Sequence, residues 1–199
     1  MTNDLLLLWL TALPLMASPG PATLSLAGIG TAYGFRRGLP YWAGIILGTW
    51  AILILVASGA TALILAEPAL VVLLTVAAAA YILYLAWKIA TAPVGARKAG
   101  NDTPPAFGPG LILALANPKA YAAIGAVFTS HTLIAGDAFA DAAAKILALG
   151  LAIVVFATLW LAFGSVFSRF LGDPTLGRIV NIAFAAMLLI SVAFALIGI

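Results

Sequence analysis

The sequence contains no cysteine, which excludes disulfides, thiolate metal sites and thiol redox chemistry. Its single histidine, His131, and its three methionines, Met1, Met16 and Met187, leave no ligand set for a haem or a zinc cluster and little for a soft metal. Charge is scarce too. Asp, Glu, Lys and Arg make up 8% of the 199 residues, against about 25% in ordinary soluble domains. No HExxH motif occurs, and no span carries paired acids, so the usual machinery of an intramembrane hydrolase is missing.

What fills the chain instead is apolar. Hydrophobic residues are 65% of it, and the mean hydropathy is +1.21. A globular core cannot bury that fraction, so lipid must be part of the solvent. The net charge of +3 does not point to nucleic acid. The basic residues stand at the ends of apolar runs, which is the topology signal of a membrane protein. The start, "MTNDLLLLWL", lacks a positive leader region, and its apolar run exceeds that of a signal peptide. It reads as a retained first span.

A spanning helix needs roughly 20 apolar residues. Six stretches qualify: Leu5–Tyr33, Leu39–Ala66, Pro68–Ala92, Ala106–Ser130, Ala138–Phe167 and Thr175–Ile199. Connections are short except 93–105, "PVGARKAGNDTPP", a polar linker rich in Pro and Gly. Arg36 and Arg37 follow span one, Lys88, Arg97 and Lys98 surround the loop after span three, and Arg169 and Arg178 bracket the loop after span five. Asp4, Glu67, Asp137 and Asp141 fall on the other side, with Lys145 against the trend. The positive-inside rule therefore places the basic loops in the cytoplasm and both termini outside.

The linker divides one membrane domain into three-span halves, 1–92 and 106–199. With an odd number of spans in each, the second half is inverted relative to the first. Spans one and four are both interrupted in the middle. "ASPGPATL" places Pro19, Gly20 and Pro21 in the first, and "ANPKAYAA" places Asn117, Pro118 and Lys119 in the fourth. Pro19 is the fifteenth residue of its span and Pro118 the thirteenth. Matched interruptions in inverted halves are the best pointer in a sequence to a transporter's binding site. The expected fold is therefore all-α and integral to the membrane, with six transmembrane helices in two inverted halves and spans one and four broken near mid-membrane.

A broken helix exposes backbone groups that only protein or a wet cavity can satisfy. It also presents a half-helix N-terminus with free N–H groups and partial positive charge. Pro21 suits the first position of such a half-helix, which would aim the N–H groups of Ala22, Thr23 and Leu24 into the break. Those of Lys119, Ala120 and Tyr121 would do the same in span four. Together they make a site for a carboxylate or other anion. Lys119 strengthens it, because a cation at mid-depth costs at least ~2.5–3.5 kcal/mol on insertion scales and marks function by default. Asn117 adds a donor and an acceptor. The bland reading is that the prolines only kink helices and Lys119 reaches up to the interface.

Other polar residues could line the same cavity: Thr49 and Trp50 in span two, Tyr81 and Tyr84 in span three, Asn181 in span six. Tyr84, Trp87 and Lys88 read more simply as an interfacial anchor. Asp141 and Lys145, four apart, share a helix face and should pair. His131 reads as a solvated loop residue. Gly30, Gly34 and Gly38, like Gly44 and Gly48, recur at the interval that lets helix backbones approach, and such spacing permits a homodimer.

"SPGP" in span one, "GFRRG" after it, "AYILYLAWKIA" in span three and "NPKAYAA" in span four, in that order, resemble the lysine exporter superfamily, the LysE/RhtB-type translocators. The likeness runs from about Leu5 to Phe128. It implies a multi-pass protein of the inner (plasma) membrane that exports amino acids or their derivatives from the cytoplasm, driven by membrane potential or a proton gradient. It carries over Pro19, Gly20, Pro21, Asn117, Pro118 and Lys119 as matching positions. Many members have an acid after the glycine that corresponds to Gly48, and here Thr49 stands there. With no carboxylate at mid-depth, a neutral amino acid fits better than lysine or arginine.

The expected substrate-binding set is Pro19, Gly20, Pro21, Thr23, Thr49, Tyr81, Asn117, Pro118 and Lys119. It has no cofactor, no metal and no catalytic residue, and its partners are an amino-acid-like solute and lipid. Three other readings stay open at this point: efflux of a metal or other inorganic ion, a membrane-embedded enzyme using Ser18 beside Lys119, and a non-catalytic scaffold.

Overall fold

A computed structural model describes residues 2–59, 67–91, 105–170 and 174–197. Among these the regular structure is helical: α1 (Thr2–Ala17), α2 (Pro21–Tyr33), α3 (Phe35–Ala57), α4 (Pro68–Thr91), α5 (Phe107–Leu115), α6 (Pro118–Ser130), α7 (Ala138–Phe170) and α8 (Pro174–Ile197). Two helices, α3 and the Ala138–Phe167 part of α7, are long and apolar enough to cross a membrane. Two bent pairs, α1 with α2 and α5 with α6, each qualify as one broken span, which brings the number to as many as four. Helices α4 and α8 are 24 residues each and include the apolar stretches Ala79–Thr91 and Thr175–Ile190. Most of the linker 93–105, with Arg97 and Lys98, lies outside the described residues, as do 60–66.

The interruptions fall at the prolines. Helix α1 meets α2 at 57°, and α5 meets α6 at 58°. Pro21 and Pro118 each open their second half-helix, where a missing N–H does no harm. The second span departs from the expected Leu39–Ala66. It begins at Phe35, because Gly34, at φ 80°, reverses the chain directly from α2 into α3. Arg36 and Arg37 therefore lie in a first helical turn rather than in a loop. The helix ends at Ala57, where Ser58 and Gly59 (φ 74°) turn away.

Glycines set the tightest crossings. Helix α3 runs along α5, and α2 along α7. A Cβ on Gly44 would strike the Phe107 carbonyl and the Leu111 amide, and one on Gly110 the Tyr41 carbonyl. Likewise Gly30 lies on Leu161 and Ser165, and Gly164 on Ala27. Backbone rests on backbone at both crossings, as small residues allow in a membrane. Gly38 and Gly48 are also used inside the chain, against Leu161 and Ala114. The glycines that permitted a dimer thus serve intramolecular packing. Gly34 is a turn residue with nothing within 4 Å.

Two apolar clusters stack along the molecule. One lies toward the end that carries Arg36, Arg37, Lys88 and Arg178, and includes Leu26, Ile29, Tyr41, Leu85, Leu113 and Leu161. The other lies toward the end with Asp137 and Asp141, and includes Leu8, Ala12, Ile52, Ile124, Val127 and Leu149. At the basic end Arg178 Nη1 donates to the Ala90 carbonyl at 2.5 Å, joining α8 to the last turn of α4.

At the acidic end Asp141 and Lys145 pair as expected, at 2.7 Å. Asp141 Oδ1 also accepts from the amides of Leu133 (2.5 Å) and Ile134 (3.0 Å), while Lys145 Nζ donates to the Phe128 carbonyl (2.9 Å). The pair fastens the loop after α6 onto α7. His131 is not simply solvated. Its ring nitrogens lie 2.8 Å from the Ser130 hydroxyl and 3.3 Å from the Thr11 hydroxyl of α1.

Two outcomes follow for purified protein in detergent. Gly44→Val should lower the thermal midpoint by an amount equivalent to at least ~1–3 kcal/mol. Gly125→Ala, inside α6 with open space around it, should leave the midpoint the same or raise it. Asp141→Ala should cost at least about 1.5–3 kcal/mol, and adding Lys145→Met should cost much less than it does alone, because the two interact directly. Equal midpoints for the glycine variants, or strict additivity for the pair, would contradict these contacts.

Candidate functional site

Proline withdraws an N–H donor, so each break leaves carbonyls to be satisfied. At the first, Pro19 cannot serve the Leu15 carbonyl, and the Ser18 hydroxyl donates to it instead at 2.8 Å. The Gly20 amide donates to Thr23 Oγ1 (2.9 Å), and Thr23 Oγ1 lies 3.1 Å from the Gly20 carbonyl. Two carbonyls at the end of α1, those of Ser18 and Pro19, accept from Lys119 Nζ at 2.5 and 3.2 Å. Lys119 belongs to the other break. The two interruptions, about a hundred residues apart in sequence, therefore meet, and a cation bridges them.

Gly20 makes room for the bridge. A Cβ there would come within 2.7 Å of Lys119 Cδ and 3.0 Å of Nζ. The Gly20 backbone itself is extended (φ −171°, ψ 177°) and would accept any residue, so what a larger side chain there would disturb is the lysine stem and not the dihedral angles.

At the second break, the Asn117 amide donates to the Ala114 carbonyl (3.1 Å), the bond that Pro118 cannot make. The Tyr121 hydroxyl reaches back to the Leu115 carbonyl (3.0 Å). The expectation that the Leu24 and Ala120 N–H groups point into the breaks does not hold, because they donate to the Gly20 (2.9 Å) and Asn117 (3.0 Å) carbonyls.

Between the two apolar clusters lies a cavity of about 80 Å³, more than one water requires at roughly 10–15 Å³ each. Gly20, Thr23, Thr49, Asn117 and Lys119 supply its polar wall. Leu26, Ile45, Ile153 and Phe156 are among the residues of its apolar wall. Thr49 stands near the middle of α3 and Ile153 near the middle of the apolar part of α7, so the cavity sits at mid-length of these two apolar helices. The described lining contains no acidic side chain. Among the described residues no three His, Asp or Glu converge as a metal site.

Five of the nine expected site residues thus share one cavity. Pro19, Pro21 and Pro118 shape the breaks that flank it without lining it. Tyr81 stands elsewhere, packed on the basic-end cluster, with its ring 6.0 Å from that of Tyr84. Sequence reasoning missed Ser18 and Tyr121 as the hydroxyls that repair the breaks. It also missed Ile153 and Phe156 as the apolar wall. A hydroxyl beside each intramembrane proline was the available signal for the first two. Nothing in the pattern of α7 distinguishes the second two.

Over 90 residues the chain is 40% identical to a cysteine/O-acetylserine efflux protein of Salmonella paratyphi A, a match that covers 45% of this chain and 46% of the relative. Over 85 residues it is 41% identical to the protein of that name from Salmonella choleraesuis, covering 43% and 44%. With the Escherichia coli O1:K1 protein the figures are 38% over 97 residues, covering 49% of each. The chain spans about half the length of the curated relatives it matches. No solved structure matches it. The family described as LysE type translocator matches residues 13–198, which takes in both breaks, the cavity and all of the apolar helices but the start of α1. The chain belongs to the LysE type translocator family and is a multi-pass protein of the inner membrane.

Proposed function

We propose that the chain is a secondary transporter that exports a small amino acid or amino-acid derivative from the cytoplasm, with a neutral substrate preferred to a cationic one. In this reading the six apolar stretches are six spans in two inverted halves. The basic end faces the cytoplasm, and the solute passes through the cavity between the two breaks.

The observation that carries the reading is Lys119. An ammonium has three hydrogens to donate, and the α1 carbonyls take two of them. The third is left for a ligand, and the ligand that suits a cation in a low-dielectric cavity is an anion, here a carboxylate. The leading amides of α2, those of Ala22 and Thr23, have no acceptor in their own helix and add partial positive charge to the same place. Preference for a neutral side chain rests on the lining. A second cation would enter a cavity that already holds Lys119 and offers no acid. The substrates in the relatives' names, cysteine and O-acetylserine, are small and carry uncharged side chains, which fits a lining without an acid.

The test is uptake of labelled O-acetylserine, cysteine and lysine into inverted membrane vesicles. The wild type should accumulate the first two well above lysine. Lys119→Met, inserted at equal abundance, should lose at least ~100-fold of the rate, as when a charged group that positions substrate is removed. Full activity in Lys119→Met would remove the lysine from the site. Preference for lysine would overturn the neutral assignment.

A further inference from the structure

Asn117 occupies the N-cap of α6, the position where asparagine normally turns its side-chain oxygen onto an amide of the first turn. Here it makes no side-chain cap. The amide that would be its partner, Ala120 N–H, is bonded to the Asn117 backbone carbonyl. The residue is one of those that line the cavity. The residue is 6% exposed, and its Oδ1 has no hydrogen-bond partner. Buried acceptors without partners are rare, and each calls for an explanation, of which a missing ligand donor is one.

A second oxygen in the cavity has the same character. Thr49 Oγ1 gives its hydrogen to the Ile45 carbonyl at 2.8 Å, so toward the cavity it can only accept. The polar wall thus divides in two. Lys119 and the head of α2 can only donate. Asn117 Oδ1 and Thr49 Oγ1 can accept, and both are neutral.

We infer that Asn117 and Thr49 form the amino-group end of the site, where two uncharged oxygens take the substrate's α-ammonium while Lys119 takes its carboxylate. The inference rests on the transport reading above and adds to it the requirement for a free amine. Lys119 alone would hold any small carboxylate, and a substrate without an amine would even neutralise the cavity. What rejects such a compound is the acceptor it leaves unpaired. A site built around a hydrogen bond discriminates strongly against an analogue that lacks it.

The experiment measures competition for binding of labelled O-acetylserine to the purified, full-length protein. The competitors are unlabelled O-acetylserine, its amine-masked isomer N-acetylserine, and its amine-free counterpart 3-acetoxypropionate. The wild type should bind O-acetylserine at least ~10-fold more tightly than either analogue. In Asn117→Leu that preference should collapse, because O-acetylserine weakens and 3-acetoxypropionate does not. The thermal midpoint of the empty variant should be no lower than that of the wild type, since a buried orphan acceptor has been removed. Thr49→Val, close to isosteric, should show a smaller collapse of the same kind and guards against a folding defect at position 117. Undiminished preference for the amine in both variants would overturn the inference and leave the transport reading intact. Failure of the wild type to bind any of the three compounds would overturn that reading, and the inference with it.

Discussion

Inside a bilayer, every backbone hydrogen bond that a helix gives up must be replaced from within the protein. Two helices of this chain give up several, at Pro19–Pro21 and at Asn117–Pro118, and most of what is distinctive about the molecule follows from how they are replaced. Local hydroxyls repair part of each break: Ser18 and Thr23 in the first, Tyr121 in the second. The carbonyls that remain at the end of α1 are met by a lysine from the other half of the chain. That choice of donor places a positive charge at mid-depth, brings the two interruptions together and holds polar groups around a cavity that an unbroken pair of helices would have filled.

The cavity lies between two clusters of buried apolar residues. The two layers differ in construction. Toward the basic end the crossings of α2 with α7 and α3 with α5 are backbone on backbone, set by Gly30, Gly164, Gly44 and Gly110. Toward the acidic end the seal is made by side chains, with Leu8, Ile124 and Leu149 among them. Polar ties reinforce that end: the Asp141–Lys145 clasp and the contact of His131 with Thr11. A small, largely apolar cavity with a few polar groups, lying between two apolar clusters, is an arrangement suited to holding a small solute.

Much of this was legible in the sequence, for identifiable reasons. Hydropathy alone places the long apolar helices, since 18 or more apolar residues have few other uses. Proline clusters at matching positions mark the breaks, because proline's effect on a helix is local and does not depend on context. The pairing of Asp141 with Lys145 followed from a four-residue spacing. Tertiary contacts were less accessible. Gly34 reads as part of a packing stripe, yet its positive φ makes it a turn that starts α3 at Phe35, and spacing does not distinguish the two uses of glycine. Tyr81 reads as a cavity residue because it is polar within a span, but the rotation of α4 places it against the basic-end cluster. The orphaned oxygen of Asn117 had no signature at all, since an asparagine before a helix ordinarily caps it.

The central claim is that the two breaks enclose a wet cavity at mid-membrane, and the absence of cysteine makes it directly measurable. A single cysteine in place of Ala123, on the cavity wall, and another in place of Ile112, on the outer face of α5 and 52% exposed, would report on water. Thiols react as thiolates, which form only where water or charge supports them. With a polar, charged maleimide applied to the intact membrane protein, Ala123→Cys should be alkylated, and O-acetylserine should slow the reaction, while Ile112→Cys stays inert in lipid. If Ala123→Cys proves as unreactive as Ile112→Cys, there is no wet chamber between the breaks and the account fails.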